Sequence, residues 1–154
     1  MAIAIILHLL PVVVWVGGMF FAYMVLRPVA ASQLEPPARL TLWAGVFSKF
    51  FPWVFVSIGL ILGSGFWMIF MVFGGFGAIG LYVYAMLVLG SVMMLIFLHV
   101  YFAPFRRLRQ AVAQEDWATG GKALAQIRML VGINLLLGLA TIITAAGGYY
   151  LGSG

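Results

Sequence analysis

Two histidines and nine methionines are the side chains of this protein that could bind a metal ion or a haem iron. A neutral imidazole nitrogen combined with thioether sulfurs suits soft Cu(I) or haem iron. Neither kind of ligand carries a charge, so both can be buried without an ionic partner. The chain has no cysteine, which excludes disulfides, thiolate ligands and cysteine redox chemistry.

The elements that must position these residues are membrane-spanning helices. Of the 154 residues, 66% are hydrophobic and only 7% are charged, whereas a soluble domain carries about a quarter charged residues. Four uncharged segments exceed the roughly 18 residues that mark a spanning helix. The predicted spans are residues 2–26, 51–73, 81–103 and 129–151. The predicted fold class is therefore an all-α membrane protein, a four-transmembrane-helix bundle forming one integral membrane domain over residues 1–154.

The basic residues indicate how this bundle lies in its membrane. All eight lysines and arginines fall in the first and third connections between the spans, and none falls in the second. Positive loops stay in the cytoplasm, so both termini are predicted to be periplasmic, in a bacterial inner membrane. Orientation in the bilayer accounts for the net charge of +5, and no nucleic-acid partner is expected.

Both basic connections are predicted to contain short amphipathic cytoplasmic helices. Apolar residues recur at helical spacing between Leu40 and Phe47, which predicts a short interfacial helix that starts near Pro37. The third connection is predicted to be helical in two pieces, with a break near Gly120-Gly121.

Helical rise places the candidate ligands at two levels of the bilayer. His8 lies about 9 Å, and Met68 and Met86 about 7–8 Å, from the outer ends of their spans. These three residues share one predicted layer, whereas His99 lies about 6 Å from the inner end of the third span. The two histidines are thus about 20 Å apart along the normal of a core about 30 Å thick, and they cannot ligate one haem within a subunit.

Two ligands remain possible for the outer layer. A three-ligand site of His8, Met68 and Met86 would favour Cu(I), whereas His8 and Met86 on either side of a planar ring would favour haem b. Further cofactor contacts are predicted for Trp15, Gly18 and His99. Trp15 lies too deep for an interfacial belt, and the glycine pair at 17–18 allows either a flat ligand or close helix contact.

Each histidine also has a purely structural interpretation. His8 could donate a hydrogen bond to the carbonyl that Pro11 frees at residue 7. His99 could bond Asn134 across the bundle, or lie at the membrane interface beside Tyr101.

One family resemblance is carried by the segment His8-Leu-Leu-Pro-Val-Val-Val-Trp15-Val-Gly17-Gly18. It resembles the first helix of the copper-resistance D (CopD) family. The segments Arg39 to Trp53 and His99 to Arg107 resemble small, stand-alone members of the same family, so the likeness covers most of the chain. The resemblance implies copper handling at the inner membrane.

A more distant resemblance is to the HemJ-type protoporphyrinogen oxidases, which are also compact four-helix membrane proteins. A histidine early in their first helix matches His8, and one near the end of their third helix, followed by paired arginines, matches His99 and Arg106-Arg107. The lysine that this family carries early in the third helix falls at Met86. This resemblance implies haem binding and redox chemistry.

Three functions are consistent with the sequence. The leading hypothesis is copper binding, transport or homeostasis through the outer His/Met site. The alternative is a haem b redox protein for electron transfer or porphyrinogen oxidation, and the third is a non-catalytic scaffold. No catalytic residue is predicted, because no carboxylate lies in a predicted span. The Gly59-x-x-x-Gly63 motif predicts a packing face and hence a homo-oligomer in the lipid bilayer.

Overall fold

Four long helices make up this computed structural model, which describes the backbone of residues 1–151 and the side chains of residues 1–148. They are α1 Ala2–Gln33, α2 Pro36–Met71, α3 Leu81–Ala113 and α4 Trp117–Leu151. A short 3-10 turn, Phe76–Ala78, lies between α2 and α3. Each long helix is apolar enough to cross a membrane, which confirms the predicted all-α, four-helix membrane fold. Residues 152–154, which the single-domain prediction includes, lie outside the described residues.

The helices pack as an antiparallel bundle with two unlike ends. α1 packs along α2 and α3 along α4, while α4 also contacts α1 and α2. The turn end carries the start of α1 and the connection at residues 72–80. The basic end carries the connections at 34–35 and 114–116 together with all eight lysines and arginines.

The helices are longer than a bilayer requires. α2 has 36 residues, which corresponds to about 54 Å against a hydrocarbon core of about 30 Å. The predicted interfacial helix is therefore the first part of α2 and not a separate element. Its apolar face, formed by Leu40, Trp43 and Phe47, is buried in the bundle core and does not lie on the membrane surface.

Prolines do not end the helices where the sequence analysis placed the ends of the first and third spans. α1 continues through Pro28 and α3 through Pro104. Each of these prolines lies in or beside a π-helical turn, Phe21–Leu26 in α1 and Tyr101–Phe105 in α3. The wider turn accommodates both the missing N–H and the ring clash, so the helix can continue.

The predicted break near Gly120-Gly121 is wrong. The chain breaks earlier, at residues 114–116, where Glu115 has a φ of 55°, and α4 runs straight through both glycines. Asp116 caps α4, because its Oδ1 accepts a hydrogen bond from the Thr119 N–H at 3.0 Å. Hydrogen bonds from the side chain and backbone of Thr119 hold the pKa of Asp116 below its usual value. A side-chain cap therefore determines where the helix begins, and the glycines are tolerated inside it.

The best-packed part of the bundle lies between its middle and its basic end. Leu108 and Ile127 have no exposed surface, and Val54 is 1% exposed. Aromatic rings fill the middle: Phe51 packs edge-on against Phe105 at 4.8 Å and against Phe97 at 5.3 Å between centroids. A separate, smaller core cluster lies at the turn end and consists of Ile69, Ile79 and Val83. Packing at the turn end is thin enough to leave a cavity.

Candidate metal centre

A cavity of about 240 Å³ lies at the turn end between all four helices. Its lining includes one histidine and four methionines: His8, Met68, Met86, Met93 and Met94. The structure therefore brings together the three residues that the sequence analysis placed in one layer, and adds two methionines to them. We call this space the His/Met cavity.

His8 is held by a hydrogen-bond chain on α2. Its Nδ1 lies 3.0 Å from Ser64 Oγ, and the Ser64 hydroxyl itself donates to the Leu60 carbonyl one turn earlier. Since a hydroxyl has only one hydrogen, Ser64 Oγ acts as the acceptor toward His8, which assigns the proton to Nδ1. The other ring nitrogen, Nε2, then carries a free lone pair. This is the tautomer that a metal-binding imidazole requires.

A glycine on α2 makes room for the imidazole. A Cβ built on Gly65 would stand 3.3 Å from Cε1 of His8, so the ring lies directly against the α2 backbone. Neither Ser64 nor Gly65 was predicted as a site residue. The run of small residues at 63–65 indicates a place where another helix can come close. It does not indicate which of these residues faces His8.

Methionines are the other side chains lining the cavity whose type could bind a soft metal ion. Met68 and Met86 are half-buried, and Met93 is only 4% exposed. Thr141 Oγ1 lies 3.9 Å from Met93 Sδ, but its hydroxyl also has the Leu137 carbonyl as an acceptor at 2.8 Å, the shorter of the two contacts. Met93 was not predicted as a site residue, although it follows Met86 by two helical turns and so lies on the same face.

Acidic and cysteine ligands do not contribute to a centre here. Within residues 1–148, no group of three or more His, Cys, Asp or Glu side chains could hold a metal ion. The donors that line the His/Met cavity include one imidazole and four thioether side chains, a set that favours a soft ion such as Cu(I) over Zn²⁺ or Mg²⁺.

The remaining predicted contacts fall in different places. Trp15 is 3% exposed, lines the His/Met cavity and packs edge-on against Phe97 at 6.1 Å. Gly18 lies outside this cavity, where a Cβ would collide with the ring of Phe50, so its role here is close contact between α1 and α2. His99 is exposed on α3 and also lies outside the cavity.

The expected hydrogen bond between His99 and Asn134 is not formed. The Asn134 amide donates instead to the Met93 carbonyl at 3.2 Å, and its Oδ1 is buried without a partner. The helical level of Asn134 had suggested His99 as its partner, but the rotation of α3 turns His99 outward.

The cavity lining bears on the two ligands that the sequence left open. Its imidazole and thioether donors fit Cu(I), and the same donors fit a haem iron.

These features define a multi-pass membrane protein with a neutral, soft-donor cavity between its helices. Residues 44–147, about two thirds of the chain, match the model of the Copper resistance protein D (CopD) family. The chain belongs to the CopD family and is thus a membrane protein related to copper resistance. No match was found among curated proteins or among solved structures.

The family match covers only part of the candidate site. Met68, Met86 and His99 lie inside the matched residues, whereas His8 and Trp15 precede them. The resemblance of the first helix to the CopD family is therefore still a prediction, and so is the likeness to the HemJ-type oxidases.

Proposed function

We propose that this protein binds Cu(I) in the His/Met cavity and passes it into or across the membrane. The observation that carries the proposal is the hydrogen-bond chain from His8 to Ser64 and on to the Leu60 carbonyl, in a cavity whose lining includes four methionines. Donation from Nδ1 to Ser64 leaves Nε2 as the free metal-binding nitrogen. In this proposal His8 Nε2 and the sulfurs of Met68 and Met86 are the copper ligands. Membership of the CopD family supports copper as the cargo.

The ligand set suits an ion that enters an apolar environment. Three neutral ligands leave a complex with a single positive charge, and no buried carboxylate is needed to make up the coordination shell. Met93 lies seven residues further along α3 than Met86, which is about 10 Å deeper. Sulfur ligands therefore continue from the turn end toward the middle of the bundle, as a pathway for Cu(I) requires.

Orientation and assembly form part of the proposal. The arginines and lysines at the basic end favour a cytoplasmic position for that end, which would make the His/Met cavity periplasmic in a bacterial inner membrane. Gly59 and Gly63 are exposed on α2, and a Cβ on either would meet nothing within 4 Å. They make no close helix contact within one chain, so this face is free for a second copy.

Cu(I) competition between purified protein and a chromogenic chelator tests the site. The chain offers a matched control, because His8 lines the cavity and His99, the other histidine, is exposed outside it. We expect His8→Ala to weaken Cu(I) binding at least about tenfold, equivalent to about 1.4 kcal/mol, and His99→Ala to change it less than twofold.

Two results would count against this proposal. Equal Cu(I) binding by the wild type and by folded His8→Ala protein would remove His8 as a ligand. A Soret band after haem-replete expression that is lost in His8→Ala would assign the site to haem. Circular dichroism of each variant shows whether the helices have formed.

A further inference from the structure

A second, larger cavity of about 670 Å³ lies at the basic end between α1, α2 and α4. Three of its lining residues are arginines, namely Arg27, Arg39 and Arg128, and no lining residue is acidic. Three cations that line one space repel one another, and a bound anion would offset that repulsion. We call this space the arginine cavity.

The arginines are positioned by the protein but keep most of their donors. Arg27 lies over the ring of Tyr23 at 4.8 Å from its centroid, and Arg39 donates from Nη1 to the Ala31 carbonyl at 3.4 Å. Arg27 and Arg39 are half-buried, and Arg128 is exposed. A guanidinium has five N–H donors in a planar fork that matches phosphate oxygens, so one such contact leaves most of that fork available.

The other walls of the cavity are aromatic and apolar. Trp43 is 6% exposed, Trp117 and Tyr23 are half-buried, and Leu40 and Phe47 complete the same lining. Aromatic residues at this level are typical of the boundary between headgroups and acyl chains. The cavity therefore combines a cationic rim with an apolar interior.

The position of the cavity indicates a ligand that reaches into the bilayer. Val131 and Met24 line it, and both belong to predicted spans. Met24 is 55% exposed, so the cavity borders the lipid-facing surface of α1. A free phosphate ion would need only the arginines, whereas an amphiphile would use both parts of the lining.

We propose that the arginine cavity binds an anionic phospholipid, with its phosphate held by Arg27, Arg39 and Arg128 and its acyl chain against the apolar wall. Basic pockets between spanning helices are the usual way in which membrane proteins recognise such headgroups. The site is independent of the copper proposal, because the two cavities share no lining residue.

Native mass spectrometry of protein released from nanodiscs can test this site. The discs would contain phosphatidylcholine with a minor fraction of phosphatidylglycerol, and retained lipid would be counted. The test variant is R27Q/R39Q/R128Q, and the control R106Q/R107Q/R109Q has the same net charge but alters only arginines outside the cavity. At about fivefold per arginine, we expect the test variant to lose about a hundredfold in phosphatidylglycerol retention and the control less than about fivefold.

Each outcome decides the proposal. Equal losses in the two triple variants, or no loss in either, would overturn it, since binding would then follow net charge or not involve arginine. Arg128→Gln is the second test, because the side chain is exposed and its loss leaves the core intact. We expect a loss of about fivefold, against no change for Arg106→Gln. Arginine-dependent binding of inorganic phosphate in lipid-free detergent, with no retained lipid, would overturn the lipid assignment.

Discussion

The His/Met cavity and the arginine cavity lie in one bundle but differ completely in chemistry. The His/Met cavity is lined by neutral donors and by no lysine or arginine. The arginine cavity is lined by three arginines and by no histidine. The difference follows from depth. Charged groups are costly inside the hydrocarbon region and are confined to its boundary, while imidazole and thioether groups can be buried neutral. Position in the bilayer thus determines which kind of ligand each end can bind.

The region between the cavities is a layer rich in aromatic side chains. Trp15 and Phe97 meet edge-on there, and Phe51 packs against Phe97 from α2. Gly18 lets α1 approach Phe50 in the same layer. A further cavity of about 270 Å³, whose lining includes Trp15, Phe47 and Asn134, lies in this layer. Trp15 also lines the His/Met cavity and Phe47 also lines the arginine cavity, so the layer contains open space next to both ends.

Placing a positive charge in the His/Met cavity should have the largest effect on Cu(I) binding. Met86→Arg places a cation among the proposed copper ligands, at a cost of about 2.5–3.5 kcal/mol on membrane insertion. We expect no measurable Cu(I) binding in this variant. Met86→Leu, the matched substitution, removes only the sulfur and should weaken binding about tenfold, or about 1.4 kcal/mol. Chelator competition measures both, and unchanged affinity in Met86→Leu would exclude Met86 as a ligand.

Breaking the hydrogen-bond chain behind His8 should have the next largest effect. Ser64→Ala removes the acceptor that holds the proton on Nδ1, and the loss of such a supporting bond weakens metal binding about 10–100-fold. Ser91 provides the control, because it also lines the cavity but its hydroxyl donates to the Leu87 carbonyl at 2.7 Å. Nitrogen-15 NMR of the imidazole should show mixed tautomers in Ser64→Ala. A single Nδ1–H form in that variant would contradict the assignment.

Filling the contact between α1 and α2 should destabilise the layer that separates the cavities. A Cβ at Gly18 would collide with Phe50, and overpacking of this kind costs about 1–3 kcal/mol. Gly17→Ala is the control, since a Cβ there meets nothing within 4 Å and alanine favours the helix by about 0.5–1 kcal/mol. Unfolding in denaturing detergent should rank Gly17→Ala above wild type and Gly18→Ala below it. If Gly18→Ala were more stable than Gly17→Ala, α1 and α2 would move apart at little cost in free energy, which would contradict the close contact at Gly18.

Removing the buried amide of Asn134 from the layer between the cavities should have the smallest effect. Asn134 is 3% exposed, and its Oδ1 is buried without a hydrogen-bond partner. An unsatisfied acceptor costs about 1–3 kcal/mol, while an interhelical bond such as Asn134 to Met93 contributes about 0.6 kcal/mol. We expect Asn134→Leu to stabilise the protein by about 1 kcal/mol with Cu(I) binding unchanged. A loss of stability would mean that Oδ1 finds a partner in the membrane.

Much of the fold could be predicted because it depends on local, additive properties. The length of the hydrophobic segments was sufficient to predict four spanning helices, and the distribution of charged residues was sufficient to distinguish the two ends of the bundle. Helix boundaries were harder to predict. The rule that proline ends a helix failed at Pro28 and Pro104 because π-helical turns absorb the missing bond. The rule that glycine breaks a helix failed at residues 120–121, because the Asp116 cap sets the start of α4.

The candidate site was predicted in part for the same reason. Rise per residue places His8, Met68 and Met86 at one level, and the structure brings them to one cavity. Rise per residue does not indicate which way each side chain faces. Gly59 and Gly63 make no close contact within one chain, so the packing face predicted for an oligomer stays a prediction, while Gly18 and Gly65 make close contacts between α1 and α2.

The sequence by itself therefore determined the membrane fold, its two unlike ends and the level of each candidate ligand. Those features are sums along the chain, of hydrophobicity, of charge and of helical rise. Only the tertiary structure decided that Ser64 orients His8, that Met93 joins the methionines and that three arginines share one cavity. Each of these depends on how neighbouring helices are rotated against one another. At about 100° per residue, a shift of one position turns a side chain from the cavity to the lipid.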